Sequence, residues 1–267
     1  MHVITGLPRS GSTLLCNILN QNPKFWATST SILPQMVNNL VSQWSTSLEA
    51  KNLLATDREG TEDRILRSLR SFCNAWHKRT DGREVIFDKS RGWAHSVMHL
   101  RAIYPKAKVL VTVRDPRNVF SSVEKQHQKT PLFDDSKNVL DKTILKRADK
   151  MFSPNGLIGT PIAGVEDLLR RKYGVFFIKY EQLVRFPLEV MKEIYQYLEE
   201  PLFIHDFSDV KNTAIDPDAF YNFKFPHKGS GEVKPGNPEE WKKYVSPDLA
   251  KTIVDRYPFY CAQFKYK

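Results

Sequence analysis

Residues 6 to 15 read GLPRSGSTLL. Gly6, four intervening residues and Gly11 give the frame of a Walker A phosphate loop, but Ser12-Thr13 stands where that motif has lysine followed by Ser or Thr. A loop of this kind between a strand and a helix turns backbone N–H groups and a helix dipole toward one anion. Gly6 and Gly11 let the backbone approach closely. Ser10, Ser12 and Thr13 add hydroxyls, and Arg9 offers a planar fork that can grip a phosphate or sulfate through two bonds. A plain Gly/Ser turn is the bland alternative. The strand-loop-helix context and the internal arginine favour anion binding.

The missing lysine argues against ATP or GTP hydrolysis, where it reaches the β- and γ-phosphates and a strand-borne Asp helps to hold magnesium. Asp115 follows a strong strand, yet it sits between Arg114 and Arg117, which suits a salt-bridged carboxylate better than a metal ligand. The expectation is anion transfer without metal. In VRDPRNVFSSV (113 to 123), Arg114 leaves a strand tip while Ser121 and Ser122 lie about two turns along the next helix. Together they suit a second phosphate. An N-capping Asp115 among surface arginines is the competing reading.

These groups need a scaffold that brings them together. HVIT (2 to 5) reads as a short apolar strand, and STLLCNILNQNP (12 to 23) as a helix with Leu14, Leu15, Ile18 and Leu19 on one face. Residues 32 to 46 and 61 to 79 have helical spacing, and EVIFDK (84 to 89) is a second strand. AHSVMHLRAIYP (94 to 105) reads as a helix, KVLVTVRD (108 to 115) as a strand apolar on both faces, and a helix opens near Pro116. VFFIKY (175 to 180) is a further strand, and PLEVMKEIYQYLEE (187 to 200) a helix with proline in its first turn. SPDLAKTIVDRYP (246 to 258) has Ser246 as N-cap. Residues 211 to 240 lack periodicity and read as a long loop. Buried strands alternating with helices predict a parallel α/β sheet wrapped on both faces, with ligands at the carboxyl ends of its strands. Three strands end in chemically loaded residues: the Gly6 loop, DKSR (88 to 91) and VRDPR (113 to 117).

Composition sets limits. The chain of 267 residues, 41% of them hydrophobic, can bury a sizeable core. Its charge of +10 points to an anionic partner: nucleic acid, an acidic membrane or a multiply charged small ligand. Cys16, Cys73 and Cys261 are odd in number and form no metal or disulfide pattern, which fits a reducing compartment. With no visible signal peptide and no spanning apolar run, the expected location is cytoplasmic.

GLPRSGSTLL resembles the 5′-phosphosulfate loop of the sulfotransferase superfamily, and VRDPRNVFSSV resembles its 3′-phosphate stretch. VIFDKSR, VFFIKYEQLVRFP and VKPGNPEEW follow the same order, so the resemblance covers nearly the whole chain. It is closest in look to bacterial-type and tyrosylprotein sulfotransferases. It implies one sulfotransferase domain over residues 1 to 267 with a P-loop NTPase-like fold. The donor motifs fall at 6–15, 85–91, 113–123, 175–187 and 229–241. It also implies 3′-phosphoadenosine 5′-phosphosulfate (PAPS) as donor, PAP as product and no metal. On that resemblance Arg9, Ser10, Gly11, Ser12 and Thr13 hold the 5′-phosphosulfate. Arg114 and Ser122 hold the 3′-phosphate, with Ser121 as the near alternative. Lys89 touches the bridging or transferred sulfuryl oxygens, and Tyr180 and Lys234 match nucleotide-site positions.

The base does not carry over. Where tyrosylprotein sulfotransferases keep a glutamate beyond the first helix, ATSTSILP (27 to 34) has no carboxylate. Small-molecule sulfotransferases use a histidine two residues past the strand-end lysine, and Arg91 stands there. Those enzymes also have lysine where this chain has Arg9, and tryptophan where it has Leu14. His95, one turn beyond Arg91, is the first candidate base. His127 and His227 are weaker ones, and Asp88 points away from Lys89 if the strand alternates. A solvated or structural histidine is the alternative for His95. The sequence does not name the acceptor; the resemblance implies a hydroxyl or amine, on a carbohydrate, phenol, lipid or tyrosyl peptide. Residues 30 to 60 and 125 to 165, between the donor motifs, are expected to line its site.

Two other classes compete. One is a nucleotide or small-molecule kinase with a degenerate Walker A loop. The other is a basic nucleic-acid-binding protein, for which LKRADK (145 to 150) and LLRRKYG (168 to 174) supply charge. The chain carries no RNP-like, zinc-finger or heptad signature, so those clusters read as solvated helix faces and nucleic acid is not the expected partner.

Overall fold

The computed structural model describes residues 1–77, 80, 82–129, 142–214 and 229–266. In chain order the elements are β1 (His2–Gly6), α1 (Ser12–Leu19), β2 (Phe25–Ala27), α2 (Leu33–Thr46), α3 (Leu48–Thr56), α4 (Arg58–Trp76) and β3 (Val85–Lys89). A 3-10 turn at Arg91–His95 leads to α5 (Val97–Ile103), β4 (Val109–Val113), α6 (Pro116–Lys129), α7 (Ile144–Met151) and α8 (Gly159–Arg171). Then come β5 (Phe176–Lys179), α9 (Tyr180–Arg185) and α10 (Pro187–Leu198), a 3-10 turn at Glu240–Lys243, α11 (Pro247–Arg256) and α12 (Pro258–Phe264).

The strands form one parallel sheet in the order β2-β3-β1-β4-β5. β1 and β4 alternate side chains between two apolar layers. Val3, Val109, Val111 and Val113 pack with Trp93, Leu100, Ile162, Val165 and Tyr260 on one face. Ile4, Leu110 and Ile178 pack with Leu15, Ile18 and Leu19 of α1 and Met191 and Ile194 of α10 on the other. Each such side chain, once fully buried, contributes about 1.5–3 kcal/mol of transfer free energy. The α/β sheet with helices on both faces agrees with the expectation from the strand pattern.

Several boundaries differ from the sequence reading. The helix expected over 61 to 79 begins earlier, at Arg58, because the Asp57 side chain accepts from the Gly60 amide and caps it. Just before it, Ser47 caps α3, which periodicity did not reveal. β2 has three residues, too few to show a period. The helix expected over 94 to 105 is broken at Ser96 into a 3-10 turn and α5. α1 stops at Leu19, where the Asn20 amide donates to the Cys16 carbonyl and the Asn20 side chain ties the helix end to the Ala27 backbone of β2. The described parts of the stretch 211 to 240 hold one isolated bridge, Val210 with Gly231. Cys16, Cys73 and Cys261 are buried and form no disulfide. No helix among the described residues is long and apolar enough to cross a membrane.

Candidate functional site

The parallel register gathers the carboxyl ends of β1, β3, β4 and β5, and with them the motif residues, at one edge of the sheet. β1 ends on Gly6 at φ 129, and a Cβ there would lie 2.0 Å from the Thr112 carbonyl oxygen. Only glycine permits that closeness between β1 and β4. Arg9 has φ 57 and Gly11 φ 83, so the chain doubles back before α1. A left-handed arginine costs about 1 kcal/mol, which the surrounding bonds must offset. No side chain caps α1, so its first amides and its dipole are left facing the loop.

The loop is held from below by Ser10. Its hydroxyl donates to the Leu7 carbonyl at 2.5 Å, lies 2.7 Å from Thr112 Oγ1, and is fully buried. Its side chain therefore anchors the loop, and only its backbone can face an anion. Lys89 comes in from the end of β3, and its Nζ donates to Thr13 Oγ1 at 2.9 Å. A cation from the neighbouring strand thus stands at a loop that lacks a lysine of its own.

A second group closes over the loop from β4 and β5. Arg114 donates from an Nη to the Arg9 carbonyl at 2.8 Å, and its guanidinium stacks 4.3 Å above the Tyr180 ring. Tyr180 also packs on Gly11, where an added Cβ would meet the ring at 2.6 Å. Arg9 Nε donates to Ser122 Oγ at 3.2 Å. The Ser121 hydroxyl instead turns back to the Asn118 carbonyl, so Ser122 is the serine that reaches the loop. Arg114 Nε is buried with no hydrogen-bond partner among the described residues, a donor still to be satisfied. The Arg114 backbone is pinned by Tyr260, whose hydroxyl accepts from its amide (3.2 Å) and donates to its carbonyl (2.9 Å). Complete burial holds the Tyr260 phenol well above its ordinary pKa, so it keeps the proton it donates.

Asp115 is not aimed at the loop. It caps α6 through the Arg117 amide (2.8 Å) and pairs with the Arg117 guanidinium at 2.7 Å, while Arg117 stacks on Trp241. Among the described residues no group of three or more His, Cys, Asp or Glu side chains could hold a metal ion. A cavity of about 430 Å³ lies beyond Asp115 between α6 and the residues Lys265 and Tyr266, and includes none of the loop residues. It is lined by Lys179, Glu181, Glu239 and Lys242 as well, a balance of charges that selects no anion.

The remaining candidates spread out. Lys234 is exposed and pairs with Glu232 at 2.9 Å; its stretch reaches the site through Gly229, which packs against Thr13. His95 is exposed on the 3-10 turn and faces Gly164 of α8. It lines a cleft of about 290 Å³ with Arg91, Asn155 and Thr160. The Arg91 carbonyl accepts from Thr5 Oγ1 at 3.1 Å, which ties that cleft to β1. His127 lies in the last turn of α6, and His227 falls outside the described residues.

Sequence reasoning missed the supports. Asp88, on the opposite face from Lys89, is fully buried and accepts from Trp93 Nε1 at 2.6 Å, with His77 Nε2 3.0 Å away. Strand alternation foretold its direction, but nothing in the spacing announced His77 or Trp93 as partners. Tyr260 and Asn17 likewise carried no local signal.

The comparisons agree on one family. A model of the "Sulfotransferase family" matches residues 3–204. Protein-tyrosine sulfotransferase A of Caenorhabditis elegans is 26% identical over 206 residues, which cover 74% of this chain and 49% of that protein. The chain therefore spans about half the length of this curated relative. Two solved structures share the fold. The sulfotransferase domain of the Synechococcus PCC 7002 olefin synthase has a TM-score of 0.57 and 20% identity, with 100% of this chain and 94% of that chain covered. Mouse sulfotransferase SULT7A1, solved in complex with PAP, has a TM-score of 0.53 and 13% identity, with 97% and 84% covered. The chain belongs to the sulfotransferase family.

Proposed function

We propose that this sulfotransferase-family chain, as one domain over residues 1 to 267, moves a sulfuryl group from PAPS to a hydroxyl or amine acceptor by in-line displacement. The observation that carries the reading is the 2.9 Å contact between Lys89 Nζ and Thr13 Oγ1. It puts a strand-borne cation on a loop that lacks its own lysine, where the leaving phosphate and the transferred group would carry charge. The residues suit the donor. Arg9, Gly11, Ser12, Thr13 and the Ser10 backbone surround the 5′ end. Arg114 and Ser122 meet Arg9 on the side of β4, where the unsatisfied Arg114 Nε suits a phosphate oxygen. Tyr180 adds an aromatic face beside Gly11, and Lys234 adds charge at the rim.

In the reaction the acceptor oxygen or nitrogen bonds to sulfur as the bond from sulfur to the 5′-phosphate oxygen breaks. The acceptor proton passes to a base, and PAP leaves. Catalysis of this type rests on positioning and charge stabilisation, which Arg9 and Lys89 supply. His95 is the proposed base, because it shares the cleft of Arg91, two positions past Lys89. The tyrosine sulfotransferase relative makes a tyrosyl peptide one acceptor to try, beside carbohydrates, phenols and lipids.

Calorimetry with PAP tests the donor assignment. Binding by the native chain, weakened in Arg9→Ala and in Arg114→Ala, is the expected result. No binding, or binding indifferent to both changes, would sink it. Turnover unaffected by a magnesium chelator separates this reading from a kinase.

A further inference from the structure

Asn17 lies on α1, one turn past Thr13, and its side chain is 1% exposed. An amide this deep must satisfy both ends, and the way it does so joins two distant stretches. Its Oδ1 accepts from the Thr213 amide at 3.0 Å and the Ala214 amide at 2.7 Å. Its Nδ2 donates to the Gly229 carbonyl at 2.6 Å and to Asn212 Oδ1 at 3.3 Å. Gly229 is thereby pressed onto the start of α1. An added Cβ there would lie 2.9 Å from Thr13 Cγ2 and 3.2 Å from the Leu14 amide nitrogen. Beyond it the chain is paired again, Gly231 with Val210 and the Val233 amide with the Phe207 carbonyl, and so arrives at Lys234.

From this we infer that Asn17 is a positioning residue for the donor: its carboxamide fixes the 229–234 stretch, and with it Lys234, against the first turn of the anion-binding helix. The inference rests on the proposed donor site and adds a residue that touches no donor itself. Physically, one short amide replaces two loop anchors. Its Oδ1 holds the incoming stretch and its Nδ2 the returning one, so neither can shift without leaving a buried polar group unpaired. Gly229 completes the device, because any side chain would wedge the returning stretch away from Thr13.

The test is calorimetry with PAP on the full chain, with donor KM and kcat measured separately. Asn17→Leu, of the same branched shape but without polar atoms, is expected to raise the PAP dissociation constant roughly tenfold or more, the loss of two or so hydrogen bonds. Donor KM rises with it, while acceptor KM and binding stoichiometry stay the same. A merely structural role would instead lower the active fraction and leave the dissociation constant alone. The same change made in Lys234→Ala should have a clearly smaller effect, since the two act through one stretch. If Asn17→Leu does not fold, Asn17→Ser serves in its place. An unchanged dissociation constant, or an equal effect in both backgrounds, overturns the inference. Failure of the native chain to bind PAP overturns the donor reading instead, so the two outcomes are distinct.

Discussion

Lys89 and Thr13 stand 76 positions apart in sequence, and their side chains meet at 2.9 Å. The pairing exists because β3 runs parallel beside β1, with Ile4 opposite Lys89, so the end of one strand faces the loop that follows the other. It brings a cation to a phosphate-type loop that has no lysine of its own.

Lys89→Met is expected to lower kcat by about 10²–10³-fold, the usual scale for one lost group that stabilises developing charge. The PAP dissociation constant should change far less, because Arg9, Arg114 and the α1 amides remain. Steady-state kinetics beside calorimetry separates the two. Weakened PAP binding with kcat unchanged would place Lys89 in ground-state binding alone.

Arg114→Gln removes the bond to the Arg9 carbonyl and the stack on Tyr180. Donor binding should weaken by about 1.5–3 kcal/mol, typical of a hydrogen bond to a charged group. Tyr180→Leu should cost less, about 0.5–2 kcal/mol, because the cation–π contact goes but the guanidinium stays. A larger effect from Tyr180→Leu than from Arg114→Gln would reverse the assigned importance.

His95→Gln is expected to reduce kcat by about 10²–10⁴-fold, the range for a lost general base, with PAP affinity unchanged. Native-like turnover in this variant would remove His95 from the reaction.

Burial holds His205 down to a pKa of about 4, among the rings of Tyr195, Phe203 and Phe207. Below about pH 6.5 the unfolded chain binds this proton more readily than the folded one, so stability falls as pH drops from there toward 4 and is level above. The loss reaches about 3 kcal/mol at most for this group. His2, half-buried beside the N-terminal amine and Lys108 and lowered to about 4, adds to the slope in the same window. Denaturant melts of His205→Phe at pH 7 and pH 4.5 should show roughly half the native difference. An unchanged difference would free His205 from acid sensitivity.

The sequence by itself determined the elements and the chemistry at their ends. Short β-branched apolar runs such as Val109–Val113 favour strands buried on both faces, and Gly6 and Gly11 mark a loop whose backbone must turn and come close. Those are local facts of sterics and patterning, so they are legible in one dimension. The tertiary structure decided how the groups are used. Ser10 and Ser12 look alike in sequence, yet Thr112 and Leu7 draw the Ser10 hydroxyl into the core. Ser121 and Ser122 are neighbours, and helix rotation alone gives Ser122 to Arg9. Asn17 and Tyr260 bear no motif, because their roles come from buried hydrogen bonds to residues far along the chain. Such partners are chosen by strand order and helix packing, and no spacing within a single segment encodes them.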